Sequence, residues 1–205
     1  MTASDLTRAA RVIPVLRGDT PDEVLSLART LLEEGFNHLE LTYTVPEVAG
    51  LIRELARSPC AVVGAGTVTT EGQLDEALAA GSSFIVSPGL DPDLAVKAKR
   101  AGVPFFPGVF TPSEVMTALG LGFSTLKLVP GSLGGIAYLK TLQGPFPQVE
   151  FMPTGGVGID NLQDWAAAGA VAVGIGSSLT QGSLNEVRRR ARVLKGVLKE
   201  VVWKA

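Results

Sequence analysis

Short apolar runs alternate with longer helical patterns along all 205 residues, and the alternation closes on eight. The runs fall at 12–16, 36–42, 61–65, 84–86, 103–106, 123–130, 149–152 and 170–173. Between them the spacing predicts helices near 21–34, 46–56, 71–80, 91–101, 112–120, 133–142 and 160–168. A last helix runs from about Ser183 toward Trp203. Two start signals repeat: Thr20-Pro21-Asp22-Glu23 and Thr111-Pro112-Ser113-Glu114 each read as a capping box with proline at the first helical position. The runs are apolar on both faces, as parallel strands covered by helices are. Such alternation admits an open doubly wound sheet or a closed barrel. A (β/α)8 barrel usually takes about 250 residues, with about 200 near its lower limit, and the short loops here make the compact form feasible. The expected fold is α/β: a single (β/α)8 TIM barrel over residues 1–205 with a short N-terminal helix around 4–10. No linker or shift in composition marks a second domain.

Lys127 interrupts the apolar run Phe123-Ser124-Thr125-Leu126-Lys127-Leu128-Val129-Pro130. A charge inside a buried strand is costly unless it is paired or used. Burial favours the neutral amine, the form that attacks a carbonyl. The alternative is a strand-end lysine whose head bends into solvent. Side chains alternate along a strand, so Leu126 and Leu128 face outward while Thr125 and Lys127 face inward. In the second run the same phase turns Leu39 and Leu41 outward and Glu40 and Thr42 inward. Active sites in this fold gather at the C-terminal strand ends, and Glu40 and Lys127 both lie late in their strands. A buried Glu–Lys pair adds little stability over an apolar one, which favours catalysis as the reason for keeping it.

The other strand ends carry polar or flexible groups: Arg17, Gly64-Ala65-Gly66-Thr67, Ser87-Pro88-Gly89, Pro107-Gly108, Pro153-Thr154-Gly155-Gly156 and Gly174-Ile175-Gly176-Ser177-Ser178. Glycine lets backbone N–H groups approach an anion, and phosphate sites in this fold use the loops after strands seven and eight. Turns need glycine too, so each cluster alone is a weak signal. With 18 basic and 20 acidic residues, nothing points to a nucleic-acid surface. The basic run Arg188, Arg189, Arg190 and Arg192 lacks interleaved aromatics and reads as a solvated helix face. Cys60 is the only cysteine and His38 the only histidine, so neither a disulfide nor a multi-histidine metal site can form within the chain. His38 stands two positions before Glu40 and reads as a satisfied interior residue; Tyr138 and Trp165 read as packing. The N-terminus is a poor signal peptide, and no apolar stretch approaches the roughly 18 residues of a membrane span. The expected setting is cytoplasmic, with no membrane partner.

The segments IPVLRG, the glutamate of LELT, VGAGTV, FIVSPG, FFPGVFTPSE, LKLVP and MPTGGV occur in one order across residues 11–179. Together they make the chain similar to the class I aldolases that cleave 2-keto-3-deoxy-6-phosphogluconate (KDPG) and 4-hydroxy-2-oxoglutarate (KHG). The resemblance implies a (β/α)8 barrel assembled as a homotrimer, a small 2-keto-acid substrate bearing a phosphate, and no metal or other cofactor. It implies that Lys127 forms the Schiff base and that Glu40 is the general acid/base working with a bound water. Arg17 would hold the keto-acid carboxylate, and Thr67 and Pro88 would line the pyruvate end. Gly155, Gly156, Gly176 and Ser177 resemble the phosphate-binding positions. Two places depart from the gluconate-type pattern. Thr44 stands where those members have an arginine four residues beyond the glutamate, and Val129 stands where they have a phenylalanine. The stretch from Arg17 to Glu23 also resembles the 6-phosphogalactonate branch. Besides these substrates, a phosphosugar isomerase or epimerase on the same barrel and a non-catalytic phospholigand-binding barrel are the competing readings.

Overall fold

The computed structural model describes residues 2–203. The chain opens with α1 (Ala3–Ala10) and β1 (Val12–Leu16), and then alternates: α2 (Pro21–Glu33), β2 (His38–Thr42), α3 (Val48–Leu55), β3 (Val62–Gly66), α4 (Glu71–Ala79), β4 (Phe84–Val86), α5 (Pro92–Ala101). The fifth strand comes in two pieces, β5 (Phe105–Phe106) and β6 (Gly108–Val109). It is followed by α6 (Pro112–Gly120), β7 (Thr125–Leu128), α7 (Gly131–Gln143) and β8 (Glu150–Pro153). A 3-10 turn at Ile159–Asn161 leads into α8 (Leu162–Ala167), and β9 (Val173–Ile175), α9 (Ser177–Thr180) and α10 (Leu184–Leu198) complete the chain.

All strand pairs are parallel, and the fold is α/β, with helices flanking a curled sheet. Six strands pair in the order β5-β4-β3-β2-β1-β9, and three more in the order β6-β7-β8. Pro107 separates β5 from β6. It has no N–H to give a ladder, but its carbonyl accepts from Lys127 N at 3.0 Å. The chain therefore pairs with β4 before Pro107 and with β7 after it. At the other seam a parallel bridge joins Thr154 to Gly174, and Val171 N donates to Phe151 O at 3.0 Å.

The two faces of the strands feed two apolar clusters. Leu39, Leu41, Leu126 and Leu128 pack outward against the helices, as period-two alternation requires. Ile13, Phe84, Val86, Phe106 and Met152 fill the concave side, with Phe84 and Phe106 meeting edge to face at 6.0 Å. Leu6 from α1 joins that inner cluster and is fully buried. Helix α1 thus covers the amino-terminal ends of the strands, where Arg8 pairs with Glu150 at 2.7 Å and Arg11 donates to Val171 O.

Several expected elements need correction. The last strand is Val173–Ile175, not 170–173. Gly174 lies inside it, paired with Ile13, and a Cβ there would meet the Thr154 side chain. Helix α7 begins at Gly131, with a kink at Gly135. Helix α10 ends at Leu198, and Trp203 instead lies under the Arg11 guanidinium, 5.3 Å from its ring centroid. The capping box at Thr111–Glu114 forms. At α2 only half of it does: Thr20 accepts from Glu23 N, but the Glu23 carboxylate turns back to Asp19 N. The basic run of α10 is paired rather than simply solvated, Arg188 with Glu33 and Arg192 with Glu34. Those glutamates end α2, where a helix dipole disfavours negative charge.

Candidate active site

Lys127 sits third in β7, between Gly108 on one side and Met152 on the other. Glu40 sits third in β2, between Val15 and Gly64. The inward phase of both strands brings Lys127 Nζ to 3.8 Å from Glu40 Oε1. Glu40 is fully buried and Lys127 is 3% exposed. Neither carboxylate oxygen of Glu40 accepts a hydrogen bond from a described protein donor. The Lys127 amine is its charged neighbour, and such a buried pair adds little stability over an apolar one. The room for the carboxylate comes from Gly66: an added Cβ would lie 2.6 Å from Glu40 Cδ.

Above this pair a cavity of about 720 Å³ opens at the carboxyl ends of the strands. Its lining brings together Arg17, Pro88, Lys127, Gly155, Gly156, Gly176 and Ser177. Gly155 and Gly156 follow β8, and Gly176 and Ser177 follow β9, so the two glycine loops share one wall. An added Cβ at Gly176 would meet no described atom within 4 Å. Val129, one of the departures noted above, is also on the wall.

Two candidates stand behind the lining. Glu40 reaches the cavity through Lys127. Thr67 reaches it through Arg17, whose Nη2 donates to Thr67 Oγ1 at 3.4 Å. Arg17 Nη1 donates to Thr44 Oγ1 at 3.2 Å. Thr44 Oγ1 lies 2.7 Å from Thr42 Oγ1, and Thr42 donates to Leu16 O at 3.1 Å.

The lining also holds residues that the motifs did not single out for chemistry: Glu23, Thr154, Asp160, Asn161, Ser178 and Gln181. Thr154 was accessible to reasoning, since it continues the inward phase of Met152 by two positions. Glu23 was hidden by its local pattern as a cap. His38 opens β2 at its amino end, outside the lining, and burial lowers its pKa from 6.5. Tyr138 packs on Phe110 and donates to Phe110 O at 2.6 Å, and Trp165 is buried in the outer core. Among the described residues no group of three or more His, Cys, Asp or Glu is arranged to hold a metal ion. No described helix is long and apolar enough to cross a membrane.

Comparison with known proteins points one way. A family model described as KDPG and KHG aldolase matches residues 3–195. Over 164 residues the chain is 40% identical to the 2-dehydro-3-deoxy-phosphogluconate aldolase of Pseudomonas aeruginosa, covering 79% of this chain and 74% of the relative. Over 196 residues it is 34% identical to the KHG/KDPG aldolase of Escherichia coli K12, covering 95% and 92%. The crystal structure of KDPG aldolase from Legionella pneumophila, with pyruvate captured at low pH as a covalent carbinolamine, superposes with a TM-score of 0.85. It is 32% identical and covers 98% of each chain.

Proposed function

The chain belongs to the KDPG and KHG aldolase family, and from that membership we propose how its own residues carry the reaction. It is a class I Schiff-base aldolase, a lyase acting on 2-keto acids of the KDPG/KHG type with pyruvate as one product. The observation that carries the assignment of residues is the buried Lys127–Glu40 pair at the floor of the cavity.

In this reading the neutral Lys127 amine attacks C2 of the 2-keto acid. The carbinolamine loses water to give an iminium. Loss of the C4 hydroxyl proton breaks the C3–C4 bond, the aldehyde departs, and the bonding pair becomes the enamine. Protonation at C3 and hydrolysis return pyruvate and the free amine. Glu40 relays these protons with a bound water, a role worth about 10²–10⁴-fold in general acid/base catalysis. Arg17 receives the carboxylate with its fork of N–H donors. Pro88 lines the pyruvate end, and Thr67 serves that end through Arg17. Gly155, Gly156, Gly176 and Ser177 receive the phosphate when the substrate carries one. The proposed substrates are KDPG and KHG, cleaved to pyruvate with glyceraldehyde 3-phosphate or glyoxylate.

Reductive trapping tests the assignment. Borohydride with pyruvate should leave one adduct per chain, mapped to Lys127; an adduct on another lysine refutes it. Glu40→Gln should still trap pyruvate but slow exchange of its methyl protons in deuterated buffer, and an unchanged exchange rate removes Glu40 from the role. Gly176→Val should reduce kcat/KM for KDPG more than for KHG, which has no phosphate; equal fractional loss argues against a phosphate site there.

Three larger-scale readings belong to the same proposal. The two sheets form one closed eight-stranded barrel, with β5 and β6 as a single strand bent at Pro107. The Gly108 N to Gly89 O bond and the Thr154–Gly174 bridge support closure at the two seams. The chain is one domain over 1–205, since each strand pairs with a neighbour throughout the described residues. The molecule assembles as a homotrimer, supported by the family resemblance. Light scattering at micromolar protein should give a three-subunit mass, and a monomer or dimer overturns it.

A further inference from the structure

We propose that Thr44 and Thr42 are positioning residues that fix the Arg17 guanidinium for the keto-acid carboxylate. The proposal rests on the reading of Arg17 as the carboxylate receptor.

The direction of the hydrogen bonds follows from counting protons. A threonine hydroxyl has one proton to give. Thr42 is fully buried, and its proton goes to Leu16 O at 3.1 Å. Its oxygen must therefore accept from Thr44, 2.7 Å away. That uses the only Thr44 proton and leaves the Thr44 oxygen as an acceptor, facing Arg17 Nη1 at 3.2 Å. The relay thus runs one way, from Arg17 to Thr44 to Thr42 to the carbonyl of Leu16. It begins and ends on neighbouring residues at the end of β1, so it ties the guanidinium to the strand that carries it.

Thr67 supplies a second hold, accepting from Nη2 at 3.4 Å. Its φ is +56°, a region that β-branched residues rarely occupy. Both terminal nitrogens of Arg17 are thereby anchored with two of its five N–H donors, and three remain for a bidentate carboxylate. Arg17 is an exposed side chain with many rotamers. Ordering it before the ligand arrives removes that cost from binding. The fold itself has little need of the contact, because Thr44 is exposed and water can satisfy its hydroxyl.

The test is borohydride trapping across a range of pyruvate concentrations, with hydroxyacetone as a carbonyl that lacks the carboxylate. Thr44→Val should raise the half-saturating pyruvate concentration about tenfold, the loss of one hydrogen bond to a charged group. The final extent of trapping should be unchanged, and the hydroxyacetone curve should move less than about twofold. Thr44→Ser keeps the hydroxyl and should restore the pyruvate curve. Thr42→Val should act in the same direction as Thr44→Val. Arg17→Met distinguishes the relay from the reading beneath it. If Arg17→Met weakens pyruvate but Thr44→Val does not, the relay is wrong and the role of Arg17 stands. If Arg17→Met leaves pyruvate unchanged, the role of Arg17 falls and the relay with it. Equal weakening of both probes in Thr44→Val, or a serine variant as weak as the valine one, also overturns the proposal.

Discussion

Glu40 keeps its place because residue 66 has no side chain. Any Cβ there would press on the carboxyl carbon of Glu40 from 2.6 Å. Gly66→Ala is therefore expected to move the carboxylate and lower kcat by about 10²-fold or more, the usual worth of a general acid/base. Overpacking of this kind costs about 1–3 kcal/mol, so thermal unfolding should report a folded but weakened protein. Pyruvate should still be trapped on Lys127. A kcat within a few-fold of the parent would show that Glu40 does not need the space. The inward placement of Glu40 and Lys127 was legible in the sequence because a period of two leaves only one inward phase in a short strand. Thr44 was legible only as an oddity. Its meaning depends on Arg17, 27 positions away, and nothing local records which strand ends become neighbours. Glu23 was misread for the opposite reason: its local pattern fits a cap, and only the folded chain shows the carboxylate bonded to Asp19 N and on the cavity wall.

Helix starts were the easiest elements to find, since the caps are local chemistry. At α6 the Glu114 carboxylate accepts from Phe110 N, Thr111 N and the Thr111 hydroxyl at 2.7–3.0 Å. Burial works against its charge, but these donors outweigh it and hold the pKa below its ordinary 4.5. A carboxyl depressed on folding stabilises the protein above its unfolded pKa, and the contribution is lost as pH falls through the folded value. Glu114→Ala should cost a few tenths to about 1 kcal/mol near neutrality, as for an exposed carboxylate in the first turn of a helix. The gap to the parent in denaturant melts should close on acidification below about pH 4.5. A gap that stays constant down to strong acid would place the effect in helix propensity instead. Strand limits were harder. The apolar stretch 170–173 looked like the last strand and the glycines after it looked like a turn. Yet Gly174 pairs with Ile13, and its missing side chain makes room for Thr154. A glycine required by a long-range contact cannot be told in sequence from one required by a turn.

For the whole molecule, the alternation of elements was written plainly in the chain, while the break in the fifth strand and the contact between β8 and β9 were not. Pro107 and the Thr154–Gly174 bridge are tertiary facts. On the amino-terminal side α1 contributes Leu6, which is fully buried in one cluster with Ile13, Phe84 and Met152. Leu6→Ala should destabilise by about 2–5 kcal/mol through lost transfer energy and the cavity left behind. Thermal unfolding and ligand-free hydrogen exchange at the inner strands should both report it. A change under about 1 kcal/mol would mean that α1 is a dispensable cover. The same plug has a kinetic consequence. Among the described residues α1 covers the amino-terminal ends of the strands, and the cavity that reaches Lys127 opens at their carboxyl ends, beside the glycine loops. In the proposed reaction the aldehyde fragment would form nearer that doorway, while the three-carbon fragment would stay tethered to Lys127 below it. Departure should therefore follow a fixed sequence, aldehyde before pyruvate. In the cleavage direction pyruvate should inhibit competitively with substrate and the aldehyde noncompetitively. The reverse pattern would mean a second way out.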